Sequence, residues 1–192
     1  MRLYNYGIAL VMGVLCLSAC GPWLVESVTD NGTVTTVSQL RLFNGDISGW
    51  VESSNADSFN IYTGTELENP LDGGADVYTG MGMIQAFIQD VEGPSPQRLI
   101  VYAMDFGSPA AATQMFAQEQ GQMGATSIPI RGYDVATALA TSVSGGTGVT
   151  VYAHFDKFYL QLMLTGFSNQ TDAMSKAYMF LHLFNLRWNG SI

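Results

Sequence analysis

Between Val149 and Thr165, apolar and polar side chains alternate with period two on both sides of the dipeptide Asp156-Lys157, and this stretch constrains the fold more than any other in the chain. Strict alternation is the pattern of a strand with one buried face. A hairpin closing at Asp156-Lys157 sets Phe155 opposite Phe158, Ala153 opposite Leu160, Val151 opposite Leu162 and Val149 opposite Leu164. One face is then apolar from end to end. The other carries Thr150, Tyr152, His154, Tyr159, Gln161 and Met163. A sheet with one apolar and one semi-polar face is antiparallel in character.

Other elements assemble around this hairpin. Residues Asp134 to Val143 form a further strand, and the turn Ser144-Gly145-Gly146-Thr147 leads back into Val149. A four-residue loop there aligns Ala136, Ala138 and Ala140 with the apolar face, whereas a loop of three or five reverses it. Met83 to Gln89 and Arg98 to Phe106 make a second pair of strands around Glu92-Gly93-Pro94-Ser95-Pro96. Ser108 offers a cap and Pro109 a first helical position for a helix over Ala110 to Gln122. A last helix starts at Asn169 or Thr171 and places Ala173, Ala177, Phe180, Leu181, Phe184 and Trp188 on one stripe before Gly190. The spacing of Leu67, Leu71, Ala75 and Tyr78 or Thr79 predicts a weaker helix within Thr65 to Gly82, burdened by Gly73 and Gly74. The fold class is therefore α+β: one mainly antiparallel β-sheet packed against two or three helices.

The first twenty residues have a separate logic. Met1-Arg2 precedes an apolar run from Ile8 to Leu17, shorter than the roughly 20 residues that a membrane crossing requires but of signal-peptide length. Leu17-Ser18-Ala19-Cys20 follows at once and resembles the lipobox of bacterial lipoproteins. The resemblance implies lipid transfer to the Cys20 thiol, cleavage after Ala19 and acylation of the new amine. Residues 1–19 are then a signal peptide, 20–42 a lipidated tether rich in Thr, Ser and Gly, and 43–192 a single domain. Gly21 stands where Asp would signal inner-membrane retention, so the expected location is the bacterial cell envelope, with the outer membrane favoured if the cell has one. Cys16 leaves with the signal, and a mature chain with Cys20 alone forms no internal disulfide.

Leu71-Asp72-Gly73-Gly74-Ala75-Asp76-Val77-Tyr78, Val101-Tyr102-Ala103-Met104-Asp105-Phe106-Gly107-Ser108-Pro109 and the lipobox together resemble an uncharacterised bacterial lipoprotein family built on a domain of unknown function. The order of elements is also distantly similar to the PsbP-like fold, whose members are mostly non-catalytic binding or assembly proteins.

Few residues are equipped for chemistry. The chain has only His154 and His182, and neither GxSxG nor SxxK occurs, so familiar hydrolytic catalysis and a His/Cys zinc site are not expected. Nor is any cofactor: the glycines at 145, 146 and 148 lack the lysine and following helix of a phosphate cradle. Sixteen acids against seven bases, a formal charge of −9, argue against nucleic acid as a partner. Glu68, Asp72 and Asp76 recur every four residues and read either as a solvated helix face or as a weak calcium site. Tyr152, His154, Tyr159 and Gln161 read either as a second core under a helix, such as the Thr65 to Gly82 segment, or as an open binding site. The function expected is a non-enzymatic module, held to the membrane by lipid on Cys20, that binds an envelope protein or a small apolar ligand. An enzyme of unfamiliar type and a structural spacer are the alternatives.

Overall fold

The computed structural model of the chain describes residues 34–55, 58–67, 74–123, 126–128, 135–143 and 146–190. Its centre is the anticipated hairpin, formed by β-strands at Gly146–Phe155 and Phe158–Phe167 in the expected register from Val149↔Leu164 to Phe155↔Phe158. Asp156 takes φ 48° in the turn, a left-handed value that Asp tolerates better than most residues. Numbered along the chain, these are β7 and β8. Before them come β1 (Val51–Glu52), β2 (Phe59–Thr63), β3 (Gln85–Glu92), β4 (Arg98–Asp105), β5 (Thr126–Ile128) and β6 (Val135–Val143). Among the described residues these eight strands form one antiparallel sheet in the order β1-β3-β4-β8-β7-β6-β5, with β2 pairing beside β1 along the edge of β3.

The helices are α1 (Ala75–Gly80), α2 (Pro109–Met123) and α3 (Gln170–Trp188). The fold is α+β, as the alternation and the helix stripes predict. The caps also form as the sequence implies. Asn169 Oδ1 accepts from the Asp172 amide at 2.9 Å, and Ser108 Oγ accepts from the Ala111 amide at 3.3 Å. Ala136, Ala138 and Ala140 stand opposite Ala153, Val151 and Val149. The pairing Val143↔Gly146 makes the connection two residues shorter than expected, and an even change leaves the face unaltered. Of the expected helix within Thr65 to Gly82, the structure describes a 3-10 turn at Gly64–Leu67 and the six residues of α1.

Two cores result, one on each side of the sheet. On the first, Phe87, Val91, Leu99, Val101, Ala103 and the inward residues of β7 and β8 meet Ala173, Ala177, Phe180, Leu181 and Phe184 of α3. Val34, Val37, Leu40, Leu42, Ile47 and Trp50 complete this core. The boundary expected at residue 43 is therefore corrected: residues 34–42 belong to the packed domain and not to a tether. Their apolar side chains fill the sheet face beyond α3, and Gln89 fixes them. Its buried amide accepts from Leu42 N–H at 2.9 Å and donates to Leu42 C=O at 2.8 Å, so neither backbone group is left unmade inside the core. Arg187 adds hydrogen bonds to Leu40 O and Arg41 O and an ion pair with Asp46.

Candidate functional site

The second face of the sheet decides between the two readings of its aromatic residues. Tyr152, His154 and Tyr159 are 4%, 2% and 0% exposed. They form a second core with Ala86, Met104, Phe106, Leu67, Ala75 and Met83, roofed by Ala112, Met115 and Phe116 of α2. The Phe116 ring lies 4.9 Å from the His154 ring. An open site at these three residues is thus corrected to a covered one, and α2 supplies most of the cover, with Leu67 and α1 contributing at one side. The cause is the Ser108-Pro109 start, which launches α2 directly from the end of β4. Asp105 reinforces that corner by accepting from the Gly107 amide and from Lys157 Nζ, both at 2.7 Å.

Gln161 behaves differently. It is half-buried, and the sheet registers place it in a row Ile88–Tyr102–Gln161–Tyr152, with Ile100–Met163–Thr150 in the row beyond. Ile88, Ile100, Tyr102 and Met163 are half-exposed like Gln161. The helices of this layer cover one end of the face, and the strip around Tyr102 and Gln161 is what they leave open. Tyr78 of α1 stands at the border, partly buried against the second core.

Glu119 stands half-buried on α2. It lies four residues after Met115 and three after Phe116, so it continues the stripe by which α2 meets the sheet. Burial pushes its carboxyl up from the usual range. Burial also pushes the phenols of Tyr78 and Tyr152 up to about 12, with the Glu119 charge as the next cause for each. The Tyr159 phenol is raised well above its ordinary value, again by burial first and Glu119 second. Its hydroxyl is buried and has no hydrogen-bond partner among the described residues. The phenols of Tyr78, Tyr152 and Tyr159 thus all feel the charge of the half-buried Glu119. The sequence offered Tyr152 and Tyr159 through alternation. Glu119, Tyr78 and Tyr102 carried no signal beyond their own elements, because only tertiary packing brings them together.

The remaining candidates are placed as follows. Cys20, with the whole signal and lipobox, lies outside the described residues, as do Glu68 and Asp72. Asp76 is exposed in the first turn of α1. No group of three or more His, Cys, Asp or Glu able to hold a metal occurs among the described residues. His182 is exposed on α3. Two polar hollows lie elsewhere, near the sheet edge. One, of about 470 Å³, is lined by Arg41, Asn44, Glu52, Ser53, Ser58 and Phe59. The other, of about 320 Å³, lies along the β3–β4 turn. Their principal charges are spent on each other, in Arg41–Glu52 at 2.6 Å and Arg98–Asp90 at 2.5 Å. No helix among the described residues is long and apolar enough to cross a membrane.

No protein-family model and no curated protein matches the chain. A solved structure with similarity to it is the extracellular domain of PknH from Mycobacterium tuberculosis, 11% identical, with a TM-score of 0.43, over 71% of this chain and 82% of that one.

Proposed function

We propose that this protein is a non-catalytic binding domain of the bacterial envelope, held to a membrane by lipid on Cys20, and that its ligand or partner lies along the strip of Tyr102 and Gln161. The observation that carries the binding role is the division of the semi-polar face. Its aromatic residues are buried under α2 at one end, while Ile88, Ile100, Tyr102, Gln161 and Met163 stay half-exposed at the other. Such a strip offers apolar bodies beside a few polar tips, the composition of a small-molecule or peptide site. The anchor rests on the apolar run ending in Leu17-Ser18-Ala19-Cys20, and two or more acyl chains on that cysteine hold a domain to a bilayer where one chain is marginal.

Two experiments test this reading. Cys20→Ala is expected to abolish lipid labelling and to release the protein from the membrane fraction; retention of the variant, with no acyl mass on the wild type, overturns the anchor. A photo-crosslinking residue at Tyr102 or Ile100 is expected to capture an adduct in intact cells that the same residue at Lys176 does not. Equal capture at all three positions, or none at the first two, overturns the binding strip.

One observation favours an enzyme of unfamiliar type as a second reading. Glu119 is half-buried on α2, its carboxyl is raised from the usual range by burial, and the phenols of Tyr78, Tyr152 and Tyr159 feel its charge, the kind of setting in which an acid-base group is found.

A further inference from the structure

Three features meet at the end of the sheet where Asp156-Lys157 turns β7 into β8. The first is the entry of the chain: Lys157 Nζ donates to Thr35 O at 3.0 Å and to Asp105 Oδ2 at 2.7 Å, so residues 34 and 35 join the domain here. The second is apolar surface. Asp105 O accepts from Ile84 N–H at 2.8 Å, and Ile84 is 58% exposed, the most of any large apolar side chain among the described residues. Its tip rests on Gly107, where an added methyl would stand 2.6 Å from Cδ1. Tyr78 O accepts from Met83 N–H at 3.0 Å, which sets the exposed Val77 and the exposed Ile84 one residue each from a single hydrogen bond. The third is Trp188, half-buried on the other face of the sheet. Its ring packs on Phe155 and Phe158, the residues that flank the turn, at 4.8 and 5.5 Å between centroids.

Exposed apolar side chains gathered at one place mark a contact surface, and the point of entry decides what this one meets. Fourteen residues lead from Cys20 to Val34, and they reach at most about 50 Å. A lipid on Cys20 therefore keeps the Ile84 end of the domain within that distance of the bilayer. A link this short gives the second contact a high effective concentration, at which even a weak apolar surface is occupied. The side chains suit that surface, since Trp settles at the level of the headgroups and aliphatic groups enter the acyl boundary below them. Charge supplies no pull toward anionic lipid. Lys157 is paired with Asp105 and Arg187 with Asp46, while Asp76 and Asp156 are exposed. We infer that the end of the domain formed by Ile84, Val77 and Trp188 rests on the bilayer that holds Cys20. This rests on the lipid anchor and adds the orientation that the anchored domain takes. The strip of Tyr102 and Gln161 then stands clear of the lipid, because Ile88 at its border lies four residues further along β3, about 13 Å.

The test uses the full chain carrying its lipid, reconstituted in phosphatidylcholine vesicles of which a fraction bears nitroxide high on the acyl chain. With Cys20 acylated, a cysteine placed at one exposed position alone takes a fluorescent probe. Probes on Ile84→Cys and on Asp76→Cys, beside Val77, are expected to be quenched at least about twofold more than a probe on Thr171→Cys, at the opposite end of α3. Adding Ile84→Glu is expected to reduce quenching at Asp76→Cys at least about twofold while the protein still sediments with the vesicles. Melting temperatures confirm that each variant is folded. Equal quenching at positions 84 and 171 in an acylated, sedimenting protein overturns the membrane contact and leaves the anchor standing. A probe at position 84 that is shielded from water yet not quenched from the lipid shows that protein covers this end, and overturns the contact as well. A wild type that carries no acyl mass and stays in the supernatant overturns anchor and contact together.

Discussion

Removing one oxygen atom from the middle of the second core is expected to stabilise the protein. Tyr159 is fully buried, its ring meets Phe106 edge-on at 6.3 Å, and its hydroxyl finds no partner among the described residues. A buried polar group without a hydrogen bond costs about 1–3 kcal/mol relative to the hydrated unfolded chain. Tyr159→Phe removes that cost and keeps the ring contacts, because the hydroxyl contributes almost nothing to packing. The expected gain is thus about 1–3 kcal/mol, and each kcal/mol raises the melting temperature by about 2–4 °C in a chain of this size. Urea denaturation provides the assay: the midpoint should move up with an unchanged slope, since the surface exposed on unfolding is the same. A variant less stable than the wild type by about 0.5 kcal/mol or more would show that the hydroxyl is satisfied in solution, and the reasoning from an orphaned donor would fail.

Leu162→Ala should cost about 2–5 kcal/mol in the same assay and near the upper end, because Val101 and Val151 stand opposite it on both sides and the cavity cannot collapse; a loss below 1 kcal/mol would mean the core face is misassigned. Gly166→Ala should cost at least about 2 kcal/mol, since φ is +81° and the added methyl would stand 2.1 Å from Pro96 O; a wild-type melting temperature would refute the close approach. The raised phenols set an alkaline limit. Tyr78 and Tyr152 ionise near 10 when unfolded and about 12 when folded, so their contribution is fully present below pH 10 and is lost as pH rises from there through the folded values. Stability measured across that window should fall, and less steeply in Tyr159→Phe; a flat profile would contradict the burial of these groups.

What the sequence made legible depends on contrast along the chain. The β7–β8 register could be read to the residue because period two admits only two registers of face, and only one puts Val149, Val151, Leu160 and Leu162 together. The helices α2 and α3 announced themselves through Ser108-Pro109 and Asn169, whose caps are local chemistry. Residues 34–42 look like tether in the sequence because Val34, Val37, Leu40 and Leu42 follow neither period. Their burial depends on the Gln89 amide, 47 positions away from Leu42, and on a sheet face that α3 leaves uncovered. The strands β1 and β2 escaped for a related reason, being short and held only at the edge of β3. The candidate site was half legible. Tyr152, Tyr159 and Gln161 share a face by alternation, but whether that face is roofed depends on α2, whose buried stripe of Ala112, Met115 and Phe116 is interrupted by polar neighbours that blur it in one dimension.

The Gln89 bridge to Leu42 has a mechanical consequence. A pull applied from the N-terminal side first meets the Lys157 hold on Thr35 O, then the plug of Val34, Val37 and Leu40, then the two Gln89 bonds and the grip of Arg187. None of these belongs to the strand ladder, and the first strand that the load reaches is β1, two residues long. The domain should therefore yield in two stages under tension: release of residues 34–50, an extension of about 60 Å at full stretch, at low force, and only afterwards rupture of the sheet. Between those stages α3 would keep its hold on β7 and β8 while the load path shifts to the edge of β3, so a domain of this design, pulled from its N-terminal side, lengthens before it unfolds.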